Sequence, residues 1–479
     1  MAESDIERLR DAIDSAWEEA LKFGLDPFPT HFELVPATIM YEFASYGIPG
    51  RFSHWTHGKA YYRQKMQYDF GLSKIYEMVI NTNPSYAFLM EMNDLLQNTF
   101  VAAHVFGHTD FFKNNAYFQN TSRRMMDKVS IHAERITKYE FDHGKAEVEH
   151  FLDSALSIQE HVDYNLLLRD DDTGKKEEKK PVEVTSEYDD LWGLEKKAQK
   201  AAEERDRKPG KPPKFPEKPE KDILLFIMRH APHLQPWHRD IIEIVRSEML
   251  YFVPQMQTKV MNEGWASIAH SRIMRELGDK GVITDSETVE FAQLHSGVLS
   301  PSRTSLNPYY LGFKMYEDIE RRWDNPTEEE QERLGRKPGV GRQKIFEVRE
   351  LENDVSFLRN YLTEDLIKDL DLYLYKKEGD EWVIVEKNWE KVRDGIVASM
   401  TNFGYPYLVV ENGDYRGNRE LYIKHMYEGQ ELDMNYAEKT LQHVYTLWGR
   451  PVHLETIYEG KRVLLTYDGE RSSKSSLEK

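Results

Sequence analysis

The strongest constraint on this chain is a stretch that cannot join any core. Between Arg169 and Lys221 the sequence runs RDDDTGKKEEKK, then a short apolar patch at Tyr188–Leu194, then KPGKPPKFPEKPEK. Charge runs and prolines at this density bury too little apolar surface to offset the entropy of ordering, so a flexible insertion is expected over 169–221. A polar helix over Glu195–Arg207 is the one ordered element it could hold. The periodic segments on either side, residues 1–168 and 222–326, are therefore expected to pack on one another as two halves of a single helical domain.

In the first half, apolar residues at helical spacing run through Phe70–Ile80, Tyr86–Phe112 and Met125–Leu168, punctuated by Gly50, Asn83-Pro84 and Gly144. From Asp222 the pattern predicts at least three helices, with turns near Pro232 and Pro236 and a break at Pro254. A helix around Thr288–Leu294 leads into the loop HSGVLSPSRTSLNPYYLG, followed by a helix over Phe313–Trp323. Asn325-Pro326-Thr327 opens a charged stretch that marks a second boundary. Beyond about residue 346 the texture changes to alternating runs, with hairpin signals around Gly379, around Asn412-Gly413 and in PVHLETIYEGKRVLLTYDG. A small C-terminal α+β domain of about six strands follows over 346–479, suited to binding or oligomerisation.

Composition excludes several classes of function. The 479 residues exceed one ordinary core, and a net charge of −19 repels a phosphate backbone, so no nucleic-acid partner is expected. No apolar run approaches a membrane span. The N-terminal helix, with Ile6, Leu9, Ile13 and Trp17 on one face, lacks the basic start and apolar run of a secretory signal, and cytoplasmic residence is expected. With no cysteine, a metal could be held only by His, Asp or Glu.

Two segments carry candidate chemistry. In NTFVAAHVFGHTDFF, His104 and His108 stand four apart, which on a helix puts both imidazoles on one face. Alone, this spacing among 17 histidines reads more readily as a hydrogen-bonded pair in a core than as a ligand pair. In VMNEGWASIAHSRIM, Glu263, Ser267 and His270 share one helical face. The string Asn262–Ser267, NEGWAS, is similar to the third-ligand segment of the gluzincin aminopeptidases, where a helical H-E-x-x-H supplies two histidines and the Glu of an N-E-G-[FW]-A string the third ligand. Two imidazoles and one carboxylate are also the open-site zinc set. This chain departs from that pattern in two ways. Val105 stands where the general base belongs, and Glu263 follows His108 by 155 residues. Asp110, His270 and His295 are the candidates for moving a proton in its place. The loop residues His295, Arg303, Tyr309 and Tyr310 could line a cleft, and Glu134, Glu149, Glu160 and His161 could build a carboxylate-bridged site between helices, though solvated helix faces explain the latter better. Phosphate-binding glycine loops and G-x-S-x-G elbows are absent.

The long strings YGIPGRFSHWTHGKAYYRQKMQYDFGLSKIYEMVINTNPSYAFLMEMNDLLQN, AHVFGHTDFFKNN, LQPWHRDIIEIVRSEMLYFVPQMQTKVMNEGWASIAHSRIM and NPYYLGFKMYEDIERRWDNP resemble the stage V sporulation protein R (SpoVR) family. That resemblance spans nearly the whole chain. It implies a cytoplasmic protein needed for the peptidoglycan cortex of the spore, with relatives linked to a serine-protein-kinase-like partner and a von Willebrand-type partner. It supplies no reaction.

The combined expectation is a mainly helical α+β protein: a gluzincin-like, metallopeptidase-like helical domain followed by a small α+β domain. Its Zn²⁺ site would use His104, His108 and Glu263, with His270 as an orienting or supplementary fourth group, and would hydrolyse an amide in a peptide or cell-wall precursor. Two rivals stand beside it. One is a non-enzymatic scaffold with a structural ion or none, which Val105 favours. The other is a non-haem iron oxygenase using the same two histidines and carboxylate.

Overall fold

Asp94 starts the helix on which the fold is built. Its side chain accepts the Gln97 amide at 2.7 Å while Gln97 reaches back, a reciprocal cap that fixes the first turn. The helix runs Leu95–Asn114, and nearly every residue from Leu96 to Phe112 is buried, so it is enclosed on all faces. In this computed structural model the described residues are 3–69, 77–165, 215–301, 305–378 and 381–477. Most of the expected insertion, and the Gly379 turn, lie outside them.

The chain divides into two units, residues 1–149 with 247–405 and residues 150–246 with 406–479. In chain order the elements of the N-terminal part are α1 (Glu3–Phe23), β1 (Thr30–Val35), α2 (Ala37–Tyr46), α3 (Trp55–Asp69), β2 (Glu77–Ile80), β3 (Ser85–Met90), α4 (Leu95–Asn114), α5 (Met125–His143) and α6 (Lys145–Leu156). Then come α7 (Ile223–His230), α8 (Pro236–Gln257), α9 (Lys259–Asp279), α10 (Asp285–Val298), α11 (Pro308–Asp324), α12 (Glu328–Leu334), α13 (Gly341–Leu351), α14 (Asp354–Tyr361) and α15 (Glu364–Asp369). The remainder is β4 (Leu374–Glu378), β5 (Glu381–Glu386), α16 (Trp389–Met400), β6 (Leu408–Tyr415), β7 (Glu420–His425), α17 (Met434–Trp448), β8 (Val452–Tyr458), β9 (Lys461–Tyr467) and β10 (Ser472–Ser476). Helices dominate, with the larger sheet at the C-terminal end. This is the mainly helical α+β class.

In the first unit α4 packs against α9, and α9 against α11. Both contacts are made close by glycine: Gly107 faces Ala266, and Gly264 faces Gly312. The start of α9 is held by a residue nearly a hundred positions away, since the Asp354 carboxylate accepts the Val260 and Met261 amides at 2.9 Å each. Trp17 of α1 covers the other side of α4, edge-on to Phe106 at 5.2 Å.

Two helical expectations fail here. Residues 77–80 and 85–90 are strands, in a three-stranded sheet of order β1-β3-β2, with β1 parallel and β2 antiparallel to β3. Short apolar runs such as EMVI and SYAFLM fit a buried strand as well as a helix segment, and periodicity alone cannot separate them. Pro254 breaks nothing, since α8 continues through it to Gln257.

The second unit carries a five-stranded sheet of order β10-β9-β8-β7-β6. β8 and β9 form the expected hairpin, turning at Glu459-Gly460, both at positive φ. The β6–β7 hairpin exists, but Asn412-Gly413 is not its turn. The chain reverses at Arg416–Arg419, and Asn412 sits at a bulge inside β6. There the Gly413 amide donates to the Phe215 carbonyl at 2.6 Å, and a side chain would strike the Phe226 ring. The glycine serves a close approach and not a turn.

His57, 5% exposed in the first unit, is held neutral: burial, then Arg51 and His54, push its pKa down to about 4. An unfolded imidazole takes up a proton near pH 6.5, so between 6.5 and 4 the unfolded state binds more protons and stability is lost as pH falls. The denaturation midpoint of wild type should therefore drop more steeply over that window than that of His57→Gln. Parallel curves would refute it.

Candidate metal centre

Along α4 the i, i+4 spacing stacks the two imidazoles as expected, with His104 and His108 ring centroids 4.5 Å apart and both rings buried. Their Nε2 atoms face α9. There Glu263 Oε2 lies 3.6 Å from His104 Nε2 and 3.5 Å from His108 Nε2. A second carboxylate arrives from β2, with Glu77 Oε1 3.8 Å from His104 Nε2. Among the described residues, Glu77, His104 and His108 form a group whose donor atoms all lie within 4.8 Å of one another.

These separations are too long for hydrogen bonds and too short for indifference. Four ligands at about 2.0–2.2 Å around a tetrahedral cation stand roughly 3.3–3.6 Å apart. His104 Nε2 and Glu263 Oε2 are both fully buried and have no hydrogen-bond partner, a condition native structures rarely tolerate without an ion or water. The residues present therefore fit a divalent cation.

Each ring is oriented from behind. Asn262 Oδ1 accepts from His108 Nδ1 at 3.0 Å, which leaves Nε2 with its lone pair toward Glu263. His104 Nδ1 meets His270 Nδ1 at 2.8 Å, and His270 Nε2 meets His295 Nδ1 at 2.8 Å. His270 thus sits on the far side of the His104 ring from Glu263.

Electrostatics follow from enclosure. Burial and the neighbouring His104 push His108 down to about 4. Burial also works against a charged His104, but Glu263 and Glu77 outweigh it and raise its pKa. Burial raises Glu77, which the adjacent Glu263 carboxylate reinforces. Glu263 resists burial through His104 and His108 and is lowered. The Tyr309 hydroxyl, bonded to Glu263, is held protonated well above its ordinary range by burial and the two carboxylates.

A cavity of about 390 Å³ opens beside these groups. Its walls include Glu77, His108, Glu263 and Tyr309, with Phe112 and Phe252 as apolar sides and Lys259 also in the lining. Asp110 is not there. It is buried between α4 and α9, accepting the Asp26 amide at 2.7 Å and the Trp265 indole at 2.8 Å, with Arg349 at 3.5 Å. That makes it a pin joining the two helices that carry the centre. His295 lies within α10, not in the loop that follows, and Arg303 is outside the described residues.

Glu77 escaped the sequence reading because its segment looked helical. As a strand, Glu77 and Val79 share one face by alternation, and both line the cavity. Val105, fully buried, places no acid beside His104.

Comparison with known proteins bears on the whole chain. No helix among the described residues is long and apolar enough to cross a membrane, and no solved structure matches. An uncharacterized protein of Escherichia coli (strain K12), YcgB, is 30% identical over 460 residues, covering 90% of this chain and 88% of that one. The family model of SpoVR like protein matches residues 3–405, and that of the SpoVR-like C-terminal domain matches 406–459. With both segments matched, the chain belongs to the SpoVR family.

Proposed function

We propose that this is a cytoplasmic, sporulation-associated protein of spore cortex formation, whose centre binds Zn²⁺ through His104, His108 and Glu263 and hydrolyses an amide in a peptide or cell-wall precursor. The supporting observation is the pair of buried, partnerless donors, His104 Nε2 and Glu263 Oε2, beside an accessible cavity. The arrangement is gluzincin-like in its logic: two histidines one turn apart on one helix, and a glutamate from the helix packed against it.

A cation bound there supplies Lewis acidity and an acidified water. The chain's own residues divide the remaining work. Glu77, facing the centre from β2, is the carboxylate placed to accept a proton where Val105 cannot. Tyr309, kept protonated, is a donor for the carbonyl oxygen of a bound amide. Phe112 and Phe252 hold apolar parts of the substrate and limit water. The acidic surface, net −19, suits protein partners over nucleic acid, and a serine-protein-kinase-like protein and a von Willebrand-type protein are the partners this reading carries.

Protein purified without chelators is expected to hold about one zinc per chain by elemental analysis and to release amine from cortex-precursor peptides. A wild-type protein that is free of metal and refuses added Zn²⁺ removes the reading.

One observation favours the scaffold alternative. The group in mutual reach is Glu77, His104 and His108, and a cation held by these three with Glu263 as a fourth protein ligand would sit in a closed, structural centre. Glu77→Gln separates the two: a hydrolase keeps its zinc and loses turnover, whereas a closed cage loses zinc affinity.

A further inference from the structure

The metal reading leaves open what fixes His104, and an inference resting on that reading starts there. In many metal sites a ligating histidine is backed by a carboxylate or a carbonyl. Here the backing is a line of imidazoles: His104 Nδ1 to His270 Nδ1 at 2.8 Å, then His270 Nε2 to His295 Nδ1 at 2.8 Å. His104 is 3% exposed and His270 fully buried, while His295 on α10 is only partly covered. Aromatic rings clamp the line. Phe100 meets His270 edge-on at 4.5 Å, Phe291 stacks on His295 at 5.7 Å, and Phe313 meets His295 edge-on at 5.3 Å. The rings therefore cannot turn to other partners without repacking.

A neutral imidazole carries one N–H, and two rings cannot both donate into one gap. Above the raised pKa of His104, where each ring carries one proton, the line has two arrangements. In one, His295 Nδ1–H donates to His270 Nε2, His270 Nδ1–H donates to His104 Nδ1, and His104 Nε2 carries a proton toward Glu263 and Glu77. In the other every bond is reversed and His104 Nε2 presents a lone pair. Only the second can bind a cation.

We propose that His270 and His295 are positioning residues of the metal centre, and that cation binding inverts the polarity of the whole line and moves the outermost proton to His295 Nε2. The protons balance. One leaves His104 Nε2 on the cavity side, two shift across the 2.8 Å gaps, and one is taken up from solvent at His295 Nε2. No ring gains charge. Metal occupancy deep in the unit is thereby written onto a residue near the surface, on a helix that supplies no ligand.

The test uses full-length protein and Zn²⁺ alone. Chelator competition should show His270→Leu weakened by about 10–100-fold, the usual cost of losing the group behind a ligating histidine. His295→Leu, at a less buried position, should show a loss toward the lower end of that range. His295→Gln, whose Oε1 can still accept from His270 Nε2, should restore affinity close to wild type. In ¹⁵N-histidine-labelled protein, two-bond proton–nitrogen correlations should show the ring missing from His295→Leu switching from Nδ1–H to Nε2–H as Zn²⁺ is added. Folded His295→Leu that binds Zn²⁺ as tightly as wild type, or a His295 tautomer indifferent to Zn²⁺, overturns the proposal while leaving the metal site standing. A wild type that binds no Zn²⁺ overturns both.

Discussion

Alanine at Gly264 is expected to lower the melting temperature by roughly 5–10 °C, although the same change on an exposed helix would stabilise it by about 1 kcal/mol. A Cβ at Gly264 would stand 2.5 Å from Gly312 Cα and 2.8 Å from the Phe313 amide nitrogen. These are backbone atoms, which cannot rotate aside, so α9 and α11 must separate. Overpacking typically costs about 1–3 kcal/mol, and a helix–helix contact with no side chain to yield sits at or above the upper end. The effect reaches the centre because Glu263 is the preceding residue and Tyr309 begins α11. Zinc affinity should fall along with stability. Calorimetry on wild type and Gly264→Ala checks this, and an unchanged or raised melting temperature would show that the two helices are not in the close contact described.

Removing a ligand should give the largest change in binding. Glu263→Gln and His104→Ala are each expected to weaken Zn²⁺ by more than the 10–100-fold that loss of a supporting group costs. The two variants differ in metal-free protein. Glu263 and Glu77 are buried carboxylates facing the same imidazole, and Glu263 raises the cost of ionising Glu77 while His104 and His108 favour the ionised form of Glu263. Neutralising Glu263 relieves that repulsion but gives up its attraction to His104 and His108, so metal-free Glu263→Gln should be modestly less stable than metal-free wild type. His104→Ala instead opens a void and strips His270 of its partner, and it should be destabilised with or without metal. Wild type should gain about 2.7 kcal/mol when Zn²⁺ reaches a hundred times its dissociation constant, and neither variant should gain appreciably at that concentration. If added Zn²⁺ stabilises wild type no more than it stabilises the two variants, these residues are a hydrogen-bonded core cluster and the metal reading fails.

The histidine pair and the NEGWAS string were legible because each lies within one helix, where a spacing of three or four residues determines which side chains share a face. Glu263 and His108 could be nominated for one site on the strength of motif alone. Asp110 stands only two residues beyond His108 in sequence, yet it faces Trp265 and Asp26 instead of the centre. Glu77 offered no spacing to read: a lone acid at the head of a four-residue strand looks like any solvated carboxylate. His295 reads from sequence as a loop residue, and its place behind His270 depends on how α10 lies across α4 and α9.

The sequence by itself determined the mainly helical character, the two segments that carry the chemistry and the donor types available to a cysteine-free metal site, because helical periodicity and side-chain chemistry are local. Only the tertiary structure decided that these segments converge, that a second carboxylate joins them and that imidazoles stand in line behind His104. Convergence depends on close approach between elements far apart in the chain. Here that approach is set by glycines at two helix crossings, where the deciding contacts are between backbones and leave no pattern of their own in the sequence.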